Sequence, residues 1–428
     1  MTLDKFPTTR PAFTANFARS QKLPPQVTFS RASQATAPAV PSPGTVTGPT
    51  GTFLSDYNPP RFAWKDGKCQ GLLIEEGRTN SVTNSQVFQT GYTTNGITPT
   101  DNVAVAPDGT TTAASIFELG GGSASHGFFR TTTSLSGFAQ SIFVKPNGRD
   151  NICLRFAVSG ADNWYTITFN LTGNGSVTQE EYGSAETWTY KYKDIQHCGN
   201  GWYRISAAAT TTTATTIELI VDGCTSSTPT LFTDDGAERY VGDTTLGYYV
   251  WGAQVEEGKT FPTSYIPTSG ATATRAQDFA VIEPDDLNSF GYSNNVGTFV
   301  AELNVTGSAQ YGRILGTGGN PAQWEFNTFA GRRINFQWIN GSAAGITNIP
   351  IGDHFKISGS YELGKPVITT HSGKDAVVAG VNATSVRNVT QIRFMNGGGN
   401  SQDVTGTYSR LSYYPTYLLG EALEALTQ

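Results

Sequence analysis

From about residue 81 to 270 the chain alternates apolar and polar positions with a period of two. In 163–171, Tyr165, Ile167, Phe169 and Leu171 share one side, and Trp164, Thr166, Thr168 and Asn170 share the other. This is the signature of a strand with one face in a core. Trp188, Tyr190 and Tyr192 alternate with Thr189, Lys191 and Lys193 in the same way, as do Ile217, Leu219 and Val221, and Tyr249, Trp251, Ala253 and Val255. Turn formers punctuate these runs at 107–109 (Pro-Asp-Gly), 147–148 (Asn-Gly), 173–175 (Gly-Asn-Gly), 199–201 (Gly-Asn-Gly) and 235–236 (Asp-Gly). With no helical period between them, they predict an antiparallel sandwich over 81–278. A second sandwich is predicted over 279–428, with strands at 297–303, 313–315, 324–326, 334–338, 354–361, 366–370, 391–395 and 407–414. The run 418–426 (LLGEALEAL) predicts a closing helix. Residues 1–80 read differently. Prolines at 24–25, 38, 41, 43, 49 and 59–60 break any long element, 35–51 reads as an extended loop, and only 27–29 and 71–75 suggest strands. Such a segment is expected to be an arm that docks on another protein or wraps its own domains. The fold class is therefore all-β: an extended N-terminal arm followed by two antiparallel β-sandwiches.

Composition narrows the functions available. Charged residues make up 14% of the chain, with Lys+Arg 28 against Asp+Glu 34 and a net charge of -6. That balance, with no basic block, excludes an electrostatic footprint for nucleic acid. No apolar run reaches the roughly 18 residues of a membrane span. The N-terminus, MTLDKFPTTRPAF, lacks the apolar stretch of a signal peptide. Cys69, Cys153, Cys198 and Cys224 have long, irregular spacings unlike a zinc site and are expected to be free, small apolar residues.

Several motifs carry a resemblance. Residues 27–36 read VTFSRASQAT and 71–80 read GLLIEEGRTN, with Gly77 where Ser is commoner. Further on come GWYRIS at 201–206, YVWGAQVEEG at 249–258, and FPTSYIPT at 261–268, running into Thr274, Arg275 and Ala276. Together these resemble bacteriophage virion proteins of the fibre, head-spike or tail type. The middle motifs are similar to carbohydrate-binding-module-like jelly rolls, and the last strand and helix to concanavalin-like (laminin-G-like) sandwiches. The resemblance implies a structural protein of the virion that is attached through 1–80 to a capsid, portal or tail protein. It also implies a homotrimer, although no heptad run supplies a coiled coil.

Candidate chemistry is sparse. Glu75 and Glu76 are neighbours on a predicted strand and point to opposite faces, so they cannot flank one glycosidic bond; a local ion pair with Arg78 is expected. His126, His197, His354 and His371 are isolated, and no nucleophile elbow, zinc-protease or phosphate-loop motif occurs. The chain is therefore expected not to be an enzyme, with a polysaccharide-degrading tail spike as the alternative. Trp164 sits on the polar face of its strand beside Thr166 and Asn170, the arrangement of an exposed platform for a host surface polysaccharide. Packing under a loop or at a subunit contact is the plainer account. Asp234, Asp235 and Glu238, with Asp285 and Asp286 elsewhere, could supply oxygen ligands to a calcium ion, or could belong to ordinary turns. Trp202, Tyr203 and Trp251 are expected in the core, while Trp324 and Trp338 divide evenly between core and surface. Weak, millimolar binding of glycan made useful by many copies, on a virion, is the functional expectation.

Overall fold

The alternating stretches become strands of two sandwiches in a computed structural model. It describes residues 10–33, 35–36, 53–54, 60–65, 68–132, 137–158, 162–183, 188–212, 217–308, 312–318, 324–329, 333–338, 343–346, 354–384, 389–395 and 404–428. The strands fall into two compact units. The first comprises described residues within 35–55 and 78–275. It holds two six-stranded antiparallel sheets. One runs in the order Trp188–Gly199, Trp202–Thr211, Gly137–Asn147, Gly247–Glu257, Ala113–Glu118, Ile97–Ala104. The other runs Ser176–Tyr182, Trp164–Asn170, Asn151–Val158, Ile217–Cys224, His126–Thr132, Thr93–Asn95. As the alternation predicts, Tyr165, Ile167, Phe169 and Leu171 face the core, against Ile205, Ala207, Val250 and Val255. Trp202, Tyr203 and Trp251 are buried. Two predicted alternations fail. In Gly247–Glu257 a register shift beyond Trp251 leaves Tyr249 and Trp251 in one apolar cluster and Ala253 and Val255, with Tyr248 and Val250, in another. The other failure lies in Trp188–Gly199. A bulge between Tyr190 and Tyr192 places Tyr190 opposite Ala209 and Lys193 opposite Ala207, with Tyr192 on the other face opposite Ala208.

The second unit comprises described residues within 1–34, 56–77 and 276–428. Of the two partners expected for the N-terminal segment, the structure shows its own domain, and the expectation of a separate arm is corrected. Phe13–Ala15 pairs with Val404–Tyr414, and Lys68–Ile74 pairs with both Val404–Tyr414 and Arg61–Lys65. All join a sheet with Val296–Ser308, His354–Glu362, Pro366–His371 and Val377–Asn382. Thr28–Ser30 forms the edge of the opposing sheet beside Phe279–Ile282. Phe13, Phe17, Val27 and Phe29 enter the same core as Phe299, Phe336, Tyr361 and Tyr413. Short strands that bury little alone are completed by partners hundreds of residues away. Gly71 shows how tight the pairing is: its φ is +123°, and a Cβ there would lie 1.8 Å from Tyr408 O. Trp324 and Trp338 both prove to be core residues.

The predicted boundaries shift by a few residues: 276–278 join the second unit, and Arg78–Asn80, expected in the N-terminal segment, joins the first, where it pairs with Ala273–Arg275. Ala35–Thr36, expected in a loop, pairs with Phe53–Leu54, while 37–52 lies outside the described residues. Strands Ala343–Ile346 and Val377–Asn382 have no counterpart among the predicted ones. The closing helix spans Gly420–Thr427 and lays Leu423 against Ile368, Tyr414 and Leu418. Among the described residues, no helix is long and apolar enough to cross a membrane.

Candidate saccharide-binding site

The quoted motifs build two buried polar clusters, one in each unit. In the second unit, Asp278 receives Arg31 Nη1 at 3.1 Å and Arg61 Nη2, and Arg61 Nη1 meets Glu75 Oε2 at 2.7 Å. Asp278 also accepts from Glu75 N (3.0 Å). Burial by itself would lower the Arg61 pKa; Asp278 and Glu75 outweigh it and raise it. In the first unit, Arg78 lies 3.7 Å from Glu256, donates to Phe261 O (3.0 Å), and rests over the Phe261 ring at 4.4 Å. Burial raises the Glu256 pKa, against the pull of Arg78. Asn80 donates to Ala253 O (3.1 Å) and Ile266 O (2.9 Å). The expected Glu75–Arg78 pair is thus corrected, because strand pairing gives each residue a distant partner. These charges are balanced and hold the fold together.

Trp164 is not an exposed platform. It is 4% exposed, under the loop that follows Ile217–Cys224, and donates from Nε1 to Thr233 O (2.9 Å) and Asp162 Oδ1 (3.2 Å). Thr166 is buried too and donates to Gly236 O (2.9 Å). Asn170 is half-buried; its Nδ2 donates to Asn151 Oδ1 (2.8 Å). The alternation that put these residues on the outer face is right, but it carries no information about a loop folding over that face. The calcium expectation is corrected as well. Arg239 Nη2 sits 2.7 Å from Asp234 Oδ2 and 3.0 Å from Asp235 Oδ2, while Glu238 accepts from Thr225 N (2.7 Å). A guanidinium thus holds the position a cation would need. Asp285 and Asp286 stand in the first turn of the helix Pro284–Ser289. No group of three or more His, Cys, Asp or Glu side chains suited to a metal occurs among the described residues. The four cysteines are free thiols, with Cys153, Cys198 and Cys224 buried.

Folding brings together one trio that no local motif announced. His354 Nε2 lies 2.8 Å from Ser409 Oγ, and Glu302 Oε1 lies 3.7 Å from the same Nε2. Ser409 donates its proton to Gln70 O (2.5 Å), so His354 Nε2 must donate to Ser409. Activation of a serine needs the reverse, with the carboxylate on the opposite ring nitrogen. This trio is an outer-face hydrogen-bond chain rather than a nucleophile.

Two accessible tyrosines lie at the open edge of the first sandwich, where edge strands Ser176–Tyr182 and Trp188–Gly199 come from different sheets. Tyr182 and Tyr190 are 40% and 41% exposed. Tyr182 stacks on Tyr165, with ring centroids 4.5 Å apart and planes 14° apart. Glu180 Oε1 accepts from Tyr165 Oη (2.7 Å) and Tyr182 Oη (2.9 Å). Its Oε2 pairs with Lys193, whose Nζ stands 4.8 Å from the Tyr190 ring centroid. Burial, with the neighbouring Tyr182, raises the Tyr165 pKa, and burial raises that of Tyr182. The phenols therefore stay protonated as donors, while burial lowers the Lys193 pKa. Two flat rings joined by a neutral carboxylate–ammonium bridge suit stacking and hydrogen bonding to hydroxyls. The sequence hid this site because the bulge that turns Lys193 toward Tyr190's face leaves no pattern in the alternation.

No family model and no curated protein matches the chain. Among solved structures it is similar to the CBM40 of the Ruminococcus gnavus IT-sialidase bound to alpha2,3 sialyllactose, at 14% identity and TM-score 0.28, covering 32% of this chain and 84% of that one. It is similar to the receptor binding domain of a botulinum neurotoxin C/D mosaic serotype at 12% identity and TM-score 0.28, covering 35% of this chain and 40% of that one. It is also similar to Trypanosoma rangeli sialidase in complex with sialic acid, at 9% identity and TM-score 0.29, covering 73% and 60%. The chain thus spans less than two thirds of the toxin domain and of the trypanosomal enzyme. At these scores the likeness goes no further than the β-rich character described above, and nothing about ligands follows from it.

Proposed function

We propose that this chain is a non-enzymatic structural protein of a bacteriophage virion whose first sandwich binds a host surface polysaccharide at its open edge. The observation that supports the binding is the pair of exposed rings, Tyr182 and Tyr190, joined through Glu180 and Lys193. The virion role rests on the motifs at 27–36, 71–80 and 249–268. Because residues 10–33, 60–65 and 68–77 help build a sandwich, attachment to a capsid, portal or tail protein would use the folded surface rather than a free arm. A site this small and wet gains about 4 kcal/mol, millimolar per copy. The purified protein should bind the polysaccharide of its host without shortening it. The double variant Tyr182→Ala/Tyr190→Ala should lose at least about tenfold in affinity while keeping its unfolding temperature. Undiminished binding would remove the edge site, and depolymerisation by the wild type would favour the tail-spike enzyme.

A further inference from the structure

Segment 225–246 of the first unit links two long strands yet contains only the two-residue strand Tyr240–Val241. Connections beyond about 12–15 residues without structure of their own are uncommon in compact domains and tend to be functional. Part of it, 231–237, lies as a strap over the outer face of the Trp164-bearing sheet. Beneath it, Ala157, Trp164 and Ile220 form an apolar floor with Phe129, against which the strap's own Leu231 packs. Three donors of this face reach main-chain carbonyls of the strap: Trp164 Nε1 on Thr233 O (2.9 Å), Thr166 Oγ1 on Gly236 O (2.9 Å) and Arg155 Nη1 on Asp235 O (2.6 Å). Gly236 has φ +72° and rests on the indole; a Cβ there would stand 2.3 Å from Trp164 Cδ2 and Cε3. Outside, the strap is braced largely to itself, with Arg239 stacked on Phe232 at 4.6 Å and paired with Asp234 and Asp235.

We propose that this face is a second saccharide platform, kept closed by the strap. The strap occupies it much as a sugar would. Its carbonyls take the three donors that hydroxyl and ring oxygens would accept, and Gly236 lies where the C–H face of a pyranose would stack. Arg155 is neutralised by Asp222 (Nη2–Oδ2 2.8 Å) and a second carboxylate, Asp162, meets the indole N–H (3.2 Å), so the guanidinium is not free for an acid and the platform suits neutral hexoses rather than acidic sugars. Glycine at 236 is what permits closure. A ligand opens the platform only by as much as it prefers the open form, so the closed strap lowers the apparent affinity by the open fraction.

The test uses the full chain in the Tyr182→Ala/Tyr190→Ala background, so that the edge site cannot contribute and its failure is told apart. Adding Gly236→Ala should lift the strap. Acrylamide quenching then rises by an amount that disappears when Trp164→Phe is added, which isolates Trp164 among the seven tryptophans. On an array of neutral and acidic oligosaccharides, followed by titration with the best neutral hexose ligand, affinity should rise at least tenfold, and Trp164→Ala should abolish the gain. Exposure of Trp164 without a gain, continued shielding of Trp164, or a preference for acidic sugars would each overturn the proposal. If Gly236→Ala does not fold, replacing 231–237 with an equal number of Gly and Ser residues gives the same readouts, and no gain in that folded variant overturns it equally.

Discussion

Asp278 holds two arginines that water does not reach: its side chain and those of Arg31 and Arg61 are each 0% exposed. A buried pair of this kind adds little over an apolar replacement of the whole group, but removing one partner leaves charge stranded in a poor solvent. Asp278→Ala should therefore destabilise the second unit by about 3–5 kcal/mol. Chemical denaturation followed by that unit's tyrosine and tryptophan signal measures it; an unchanged midpoint would mean the cluster contributes nothing. At this scale the sequence told which residue types matter but not whom they meet. Glu75 and Arg78 are three apart and look paired, yet each is matched to a residue brought by another strand, Arg61 and Glu256 respectively. Trp164 shows the same limit, since its strand face was readable and its cover was not.

Among the elements, the short N-terminal strands are the ones whose meaning changed most. Phe17 packs edge-on against Phe394 with centroids 6.1 Å apart, and Phe13 stacks on Phe290 at 4.8 Å. Deleting residues 1–34 removes these rings and two strands from a continuous core and leaves sheet backbone and apolar surface open. The truncated chain should be insoluble or lose the cooperative unfolding of the second unit by circular dichroism, whereas a soluble, fully folded product would restore the reading of a free arm. The longer strands and the closing helix were legible because each carries its own period over many residues. The three-residue strand Phe13–Ala15 is too short to show one, and 27–29 suggested a strand, realised as Thr28–Ser30, without naming its partner. The bulge at Tyr190–Tyr192 was hidden for a related reason: one inserted residue reverses the facing of everything after it.

For the whole molecule, weak sites require many copies. Under the proposed function, millimolar binding at one edge becomes useful if the chain forms a homotrimer that is repeated on a particle and presents several edges to one polymer chain, because each later contact is intramolecular. Crosslinking of purified virions should yield a species at three times the 45.7 kDa chain mass. A monomer there would remove the trimer, and absence of the chain from the particles would remove the virion role.

The sequence by itself determined that this is an all-β chain, where most of its long strands and turns lie, and which side of most of those strands is apolar. Those properties follow from the two-residue alternation and from turn chemistry, and both are local. Only the tertiary structure decided which strands pair, that the N-terminal segment is part of a sandwich, that a strap covers Trp164, and that Tyr182 and Tyr190 meet at an open edge. Strand pairing joins residues as far apart as Phe13 and Tyr413, and burial of a face depends on whatever other segment comes to lie on it. Neither leaves a mark in the periodicity of the strand concerned.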